Sequence, residues 1–155
     1  MPARKTEEAF QWIVSLLKEK NIPFDVYGGL DARVYGSQRR LADIDIEIPE
    51  NRFKDLKEIK PYLVFGPTIY KDKHWKVKLA TLKYKGQVID LAGAYHAKIF
   101  DHKKKEWVIL PAYFSRSVNK KVLGITVPVV TKKDLIDYKT KLGRGVDKKD
   151  IKQIA

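Results

Sequence analysis

The sequence predicts a mixed α/β (α+β) fold: a small, twisted, mixed sheet with flanking helices, extended by a C-terminal β-hairpin and two helices. Three observations carry this expectation. Apolar side chains recur at helical spacing from Thr6 to Lys20, and Leu135, Ile136 and Tyr138 mark a second helix. They alternate with a period of two from Asp43 to Ile48 and from Trp75 to Leu82, the spacing of a strand with one buried face. Glycine and proline punctuate these segments at short intervals, and 155 residues suffice for one domain with a core of its own.

In order along the chain, Thr6 is read as the N-cap of the first helix, with Glu7 and Glu8 in the turn where the dipole favours them. Phe10, Ile13, Val14 and Leu17 form its apolar stripe, with Trp12 and Leu16 at the margins, and Asn21-Ile22-Pro23 stops it. Phe24 to Tyr27 is the first strand, Leu30 to Tyr35 a short helix, and Asp43 to Pro49 a second strand. Arg52 to Ile59 reads as a helix with Phe53 and Leu56 inward, then an irregular strand, Tyr62 to Phe65, is broken by Gly66-Pro67. Trp75 to Leu82 and Val88 to Leu91 pair through the turn Lys85-Gly86-Gln87. Tyr95 to Phe100 and Glu106 to Leu110 flank the basic turn Asp101-His102-Lys103-Lys104-Lys105. Its lysines read as solvated, with nucleic-acid contact as the alternative. Val118 to Val130, rich in β-branched residues, folds back near Leu123-Gly124. Thr131 caps a helix from Lys132 to Leu142, Gly143 ends it, and Asp147 opens a last helix to Ile154.

Hydrophobic residues make up 44% of the chain, which supports a globular core. No apolar run is long enough to span a membrane. Met1-Pro2-Ala3-Arg4-Lys5 leads into the first helix rather than into a signal-peptide core. The lack of cysteine excludes disulfides and thiolate metal sites and fits a cytoplasmic protein. With 32 Lys+Arg against 19 Asp+Glu the formal net charge is +13, which favours polyanions such as nucleic acid, or nucleotide phosphates. A Lys-rich solvated surface is the plainer alternative. His74, His96 and His102 show no metal-ligand spacing, and neither a Walker phosphate loop nor a Gly-x-Ser-x-Gly elbow is present.

The densest chemistry lies between Tyr27 and Pro49. A Gly28-Gly29 pair ends an apolar run, and Asp43-Ile44-Asp45-Ile46-Glu47-Ile48 follows downstream. In a strand Asp43, Asp45 and Glu47 share one face and the isoleucines the other. Two carboxylates on one strand face can reach the same divalent cation. Magnesium prefers oxygen ligands and usually takes one or two carboxylates, with substrate phosphates completing its shell. Glycines let the backbone approach phosphate oxygens, and a helix after them turns N–H groups toward an anion. Arg39 and Arg40 follow in the connection, where phosphate contact is favoured over a solvated loop. Asp90 is a lone carboxylate in the apolar run Val88-Ile89-Asp90-Leu91, where a buried charge needs a partner or a metal; capping the Gly93 turn is the alternative.

The set Gly28-Gly29, Tyr35-Gly36, Arg39 and Asp43-Ile44-Asp45-Ile46, with Asp90 downstream, resembles the DNA polymerase beta-type nucleotidyltransferase superfamily, and within it the small lincosamide- and aminoglycoside-type branch. The tail from Val129 to Lys139, with Gly143-Arg144, Asp147 and Asp150-Ile151, resembles the closing segment of the same proteins, so Lys98 to Leu123 is left uncovered. The resemblance implies a nucleotidyltransferase domain over residues 1–155, with 1–95 as catalytic core and 96–155 as an extension completing it. It implies transfer of a nucleoside monophosphate from an NTP to an acceptor, with release of pyrophosphate. Asp43, Asp45 and Asp90 are then the catalytic residues and the ligands of two magnesium ions about 4 Å apart, for which manganese can substitute. Asp90 would also take the acceptor's proton, and Glu47 ranks below the three aspartates. Gly28, Gly29, Arg39, Arg40 and Lys139 would bind the nucleotide. Charge suggests the acceptor: RNA, such as a tRNA end, suits +13. An antibiotic-type small molecule is the alternative, and a non-catalytic RNA- or nucleotide-binding module of the same fold is the rival of another class.

Overall fold

The computed structural model describes residues 4–155; the expectation for Met1-Pro2-Ala3 lies outside them. Helix α1 (Arg4–Glu19) lays Phe10, Ile13 and Leu17 on the sheet, all fully buried. Thr6 is not its cap. The helix begins before it, and the Thr6 hydroxyl donates to Oε1 of Gln87 at 2.6 Å within the packed interface. β1 (Asp25–Val26), α2 (Gly28–Val34) and β2 (Asp43–Pro49) follow. Ile44, Ile46 and Ile48 are fully buried in the core with α1, while Asp43 and Asp45 remain half-buried on the other face. Burial of each isoleucine contributes about 1.5–3 kcal/mol. A one-residue slip would forfeit all three, so the isoleucines fix the direction of the aspartates.

Residues 50–62 form two 3-10 turns, Glu50–Asp55 and Lys57–Tyr62, in place of the expected α-helix over Arg52 to Ile59. Phe53, Leu56 and Ile59 are all buried. Their spacing of three puts them in line at three residues per turn, where the α-helical period would fan them out. β3 (Leu63–Lys71) continues through Gly66-Pro67 rather than breaking there. Register shifts between Leu63 and Thr68 absorb the pair. The strand pairs only with its neighbour β4 among the described residues, so the missing proline N–H can fall on the open edge.

β4 (Trp75–Tyr84) and β5 (Gln87–Ala94) join through Lys85 and Gly86 at φ 48° and 83°. β6 (Lys98–Asp101) and β7 (Glu106–Ile109) form a second hairpin. β8 (Val118–Val122) and β9 (Ile125–Val129) turn at Leu123 and Gly124, with φ 47° and 86°. Two consecutive left-handed residues match a two-residue hairpin turn to the twist of its strands. α3 (Lys132–Leu142) starts where its cap predicts: Thr131 Oγ1 accepts from the Asp134 N–H at 3.2 Å, and Gly143 closes the helix at φ 61°. α4 (Gly145–Ile154) begins ahead of Asp147, whose carboxylate accepts from the Arg144 N–H at 3.1 Å.

The strands form one mixed sheet in the order β7-β6-β4-β5-β2-β1-β9-β8, with β3 beside β4. The β2–β5 and β1–β9 pairs are parallel; the others are antiparallel. α1 and the 3-10 turns close the core on one face. α3 and α4 build a second core with Ala32, Ile99 and Val130, and a cleft opens beside it.

Candidate active site

Parallel pairing of β2 with β5 sets Asp45 directly opposite Asp90, with Asp43 one strand step away opposite Val88. All three face a cavity of about 540 Å³ at the end of α2. Gly28, Gly29, Arg39 and Lys139 line the same cavity, so every residue expected at the site is there except Arg40. Arg40 is exposed and outside the lining, because its neighbour Arg39 is the one turned inward to Asp150. Glu47 lies on the aspartate face but beyond the cleft. It is buried, accepts from the Tyr113 N–H at 3.3 Å and faces Asp25 across the β1–β2 pair. Burial, then the facing Glu47, pushes the Asp25 carboxyl well up.

Asp45 is pushed up to about 7, first by burial and then by the Asp90 and Asp43 carboxylates, against the pull of Lys139 and the Gly29 N–H. Burial also raises Asp43, and raises Asp90 despite a hydrogen bond of 2.6 Å from the Thr81 hydroxyl to its Oδ1. Gly28 takes φ +69°, and a Cβ there would collide with the Asp45 carboxylate. Gly29 has no such backbone need; a Cβ on it would lie 3.1 Å from Nη2 of Arg39. The first glycine thus makes room for the aspartate, and the second for the arginine.

The basic wall is anchored by α4. Asp150, fully buried, accepts from Ser37 Oγ at 2.9 Å, from Arg39 Nε at 3.0 Å and Nη2 at 2.9 Å, and pairs with Lys139 Nζ at 2.9 Å. Burial alone would raise this carboxyl; the hydrogen bonds from Arg39 and Lys139 outweigh it and hold it down at about 2. Lys139 also approaches Asp147 Oδ1 at 3.4 Å and is 1% exposed. It is therefore a buried counter-ion at the cleft wall, already held by two carboxylates. Arg144, which pairs with Asp147 at 2.6 Å, lies over the Trp75 ring at 4.7 Å, and Trp75 Nε1 donates to the Tyr138 hydroxyl at 3.0 Å. Arg144, Trp75, Tyr138 and Tyr70 line the cleft and were not among the expected site residues. The sequence marks Arg39, Lys139, Arg144, Asp147 and Asp150 separately, and the Asp147-x-x-Asp150 spacing puts both carboxylates on one helix face, but nothing in it joins them into a wall.

The donor set suits a hard cation: carboxylates only, raised chiefly by burial, with no thiolate or imidazole among them. Among the described residues no three acidic or imidazole side chains converge on a preformed cage. That is compatible with a shell completed by phosphate oxygens.

No protein-family model and no curated protein matches the sequence. Solved structures do. A provisionally named nucleotidyltransferase of Thermotoga maritima superposes with a TM-score of 0.74 at 17% identity, over 98% of this chain and 93% of that one. The chain has the nucleotidyltransferase fold. Lincosamide antibiotic adenylyltransferase LnuA, solved with lincomycin bound, gives 0.63 at 13% identity over 99% and 98% of the two chains. ANT(2'')-Ia in complex with adenylyl-2''-tobramycin gives 0.59 at 16% identity over 96% and 87%. The likeness runs through Lys98 to Leu123 as well, the stretch that no motif covered.

Proposed function

We propose that the protein is a magnesium-dependent nucleotidyltransferase that moves a nucleoside monophosphate from an NTP to RNA. One observation carries the reading: Asp45 and Asp90 stand opposite each other on parallel strands, with Asp43 beside them, next to a glycine turn and a basic wall in one cleft. The Gly28-Gly29 turn and Arg39 receive the triphosphate, and Asp150 holds the Arg39 guanidinium in place for it. Asp43, Asp45 and Asp90 would hold the metal, which when bound neutralises phosphate charge and favours the ionised attacking oxygen. Asp90 is hydrogen-bonded by Thr81 through Oδ1. That leaves Oδ2 to accept the proton of the acceptor hydroxyl. The oxygen attacks the α-phosphorus, the bond to the bridging oxygen breaks, and pyrophosphate leaves with its electron pair.

The RNA acceptor is supported by the charge of +13. A small-molecule acceptor has support of its own, because the solved relatives carry lincomycin and adenylyl-tobramycin and the cleft has an aromatic side of Tyr27, Tyr70, Trp75 and Tyr138. Incubation with each α-labelled NTP and magnesium, in parallel with total tRNA and with a lincosamide and aminoglycoside panel, tests both. Label is expected on RNA, and Asp45→Asn should lower transfer by at least about a thousandfold while the melting curve stays cooperative. Label on the drugs alone would move the acceptor to that class. No label on any acceptor, with NTP still bound, would replace the enzyme by a binding module.

A further inference from the structure

We infer that the sheet face turned away from the cleft, across β3, β4, β6 and β7, is a docking platform for single-stranded RNA. Partners in an antiparallel ladder share a face. Ile69 is paired with Lys78, Lys71 with Lys76, and Lys76 with Lys98. Lys98 is paired in turn with Ile109, and Phe100 with Trp107. These pairs form one continuous surface. The opposite parity, Tyr70 with Val77 and Trp75 with Ile99, faces the cleft and its core.

The surface carries four lysines and no carboxylate. The only acidic residues in the four strands, Asp101 and Glu106, are paired with each other on the opposite parity. α1 and the 3-10 turns cover Ala80 and Leu82 on this side, and the cover ends where Lys78 lies 5.6 Å from the Phe53 ring. Beyond that edge Lys71, Lys76 and Lys98 are exposed, Ile109 is 66% exposed and Trp107 38%. Lys71 Nζ lies over the Trp107 ring, 5.9 Å from its centroid, so the positive charge and the indole belong to one patch.

That pairing is what a single strand requires. Lysines track the phosphates without reading sequence, and an exposed indole stacks on whatever base is presented. A duplex keeps its bases stacked and offers the indole nothing. An acidic protein would satisfy the lysines but leave the indole and the isoleucines without a flat partner. The choice of RNA over DNA rests on the acceptor reading above; the platform does not depend on transfer.

The test is fluorescence anisotropy with a labelled oligo(U) of about 16 nucleotides, long enough for such a face, beside the DNA strand of matching sequence and an RNA duplex. Replacing Lys71, Lys76 and Lys98 together by Ala should flatten the log–log salt dependence by about 2, at roughly 0.7 for each phosphate no longer neutralised. Trp107→Ala should weaken binding about tenfold with the slope unchanged, and Trp107→Phe should restore most of it. Cooperative melts and unaltered NTP binding in these variants exclude misfolding. Asp45→Asn should bind oligo(U) as the wild type does; wild-type protein that binds oligo(U) but labels neither RNA nor drug would leave the platform standing and remove the enzyme reading. Transfer to RNA with unaltered oligo(U) binding in the lysine and tryptophan variants would do the reverse and overturn the platform. It also falls if polyglutamate or phosphatidylserine vesicles displace the RNA at equal charge, or if the duplex binds as tightly as the single strand.

Discussion

Gly28 and Gly29 are adjacent but constrained differently, and their substitutions should separate. Gly28 sits at φ +69° with the Asp45 carboxylate where a Cβ would go, whereas Gly29 faces the movable end of the Arg39 side chain. Gly28→Ala should cost about 1–2 kcal/mol through its left-handed backbone and abolish NTP binding by displacing Asp45. Gly29→Ala should stay within about 0.5 kcal/mol of wild type and weaken NTP binding only severalfold. Urea unfolding and calorimetric NTP titration read the two effects apart. Asp31 makes a second residue-level prediction. Both its oxygens are buried without a hydrogen-bond partner among the described residues, and burial pushes its carboxyl up to about 9 against the pull of Lys139. The unfolded chain releases that proton near pH 4 and the folded one holds it, so wild-type stability falls as pH rises between those values. Asp31→Asn lacks the effect. It should match wild type near pH 4 and gain on it up to about pH 9, by at most about 1.4 kcal/mol per pH unit. A constant difference across urea titrations at pH 4, 6 and 8 would contradict the assignment.

At the scale of elements, α4 is the support of the cleft rather than a terminal ornament. Its Asp150 collects Ser37, Arg39 and Lys139, and its Asp147 collects Lys139 and Arg144. Asp150→Asn leaves Lys139 and Arg39 short of an anion in a buried place, a loss of about 3–5 kcal/mol. Because the native carboxyl is held at about 2, its contribution is present above pH 4 and disappears as pH falls from there toward 2. Acid melts of the Asn variant should therefore lie closest to wild type near pH 2, and KM for NTP should rise with Arg39 unmoored. Elements were legible where local chemistry decides them. The Thr131 cap with its Gly143 stop and the Lys85-Gly86 turn are set by neighbours a few positions away. Asp43 and Asp45 were legible for the same reason, through a period of two. The α4 wall was not, because an Asp-x-x-Asp on a helix says nothing about which arginines will reach it from elsewhere in the chain. Thr6 misled because its hydroxyl is used on Gln87 instead of as a cap, and Arg52 to Ile59 because the two inward residues read there, Phe53 and Leu56, fit either helical type until Ile59 is added.

Over the whole molecule, the two faces of the sheet differ in charge: the cleft mixes carboxylates with a basic wall, and the far face carries lysines. The aspartates gather in the cleft, while Lys71, Lys76, Lys78 and Lys98 share the far side of the same sheet. The topology ties the two ends of the chain together: β9 lies parallel to β1 in the middle of the sheet, Ser37 reaches Asp150 and the Gln38 N–H reaches Gln153. A chain cut after Gly143 should keep α1 and the β4–β5 hairpin, yet bind no NTP and melt at least about 10 °C lower; retained affinity would show that α4 is dispensable. There is a temporal side to this closure. β1 is only a two-residue strand, and its parallel partner is made more than a hundred positions later, so this pairing cannot form until that later stretch has been synthesised. As the polypeptide emerges, its aspartates are synthesised early and its nucleotide pocket late. A nascent or clipped chain carries the acidic strands without the means to load them, and competence arrives only with the final helix.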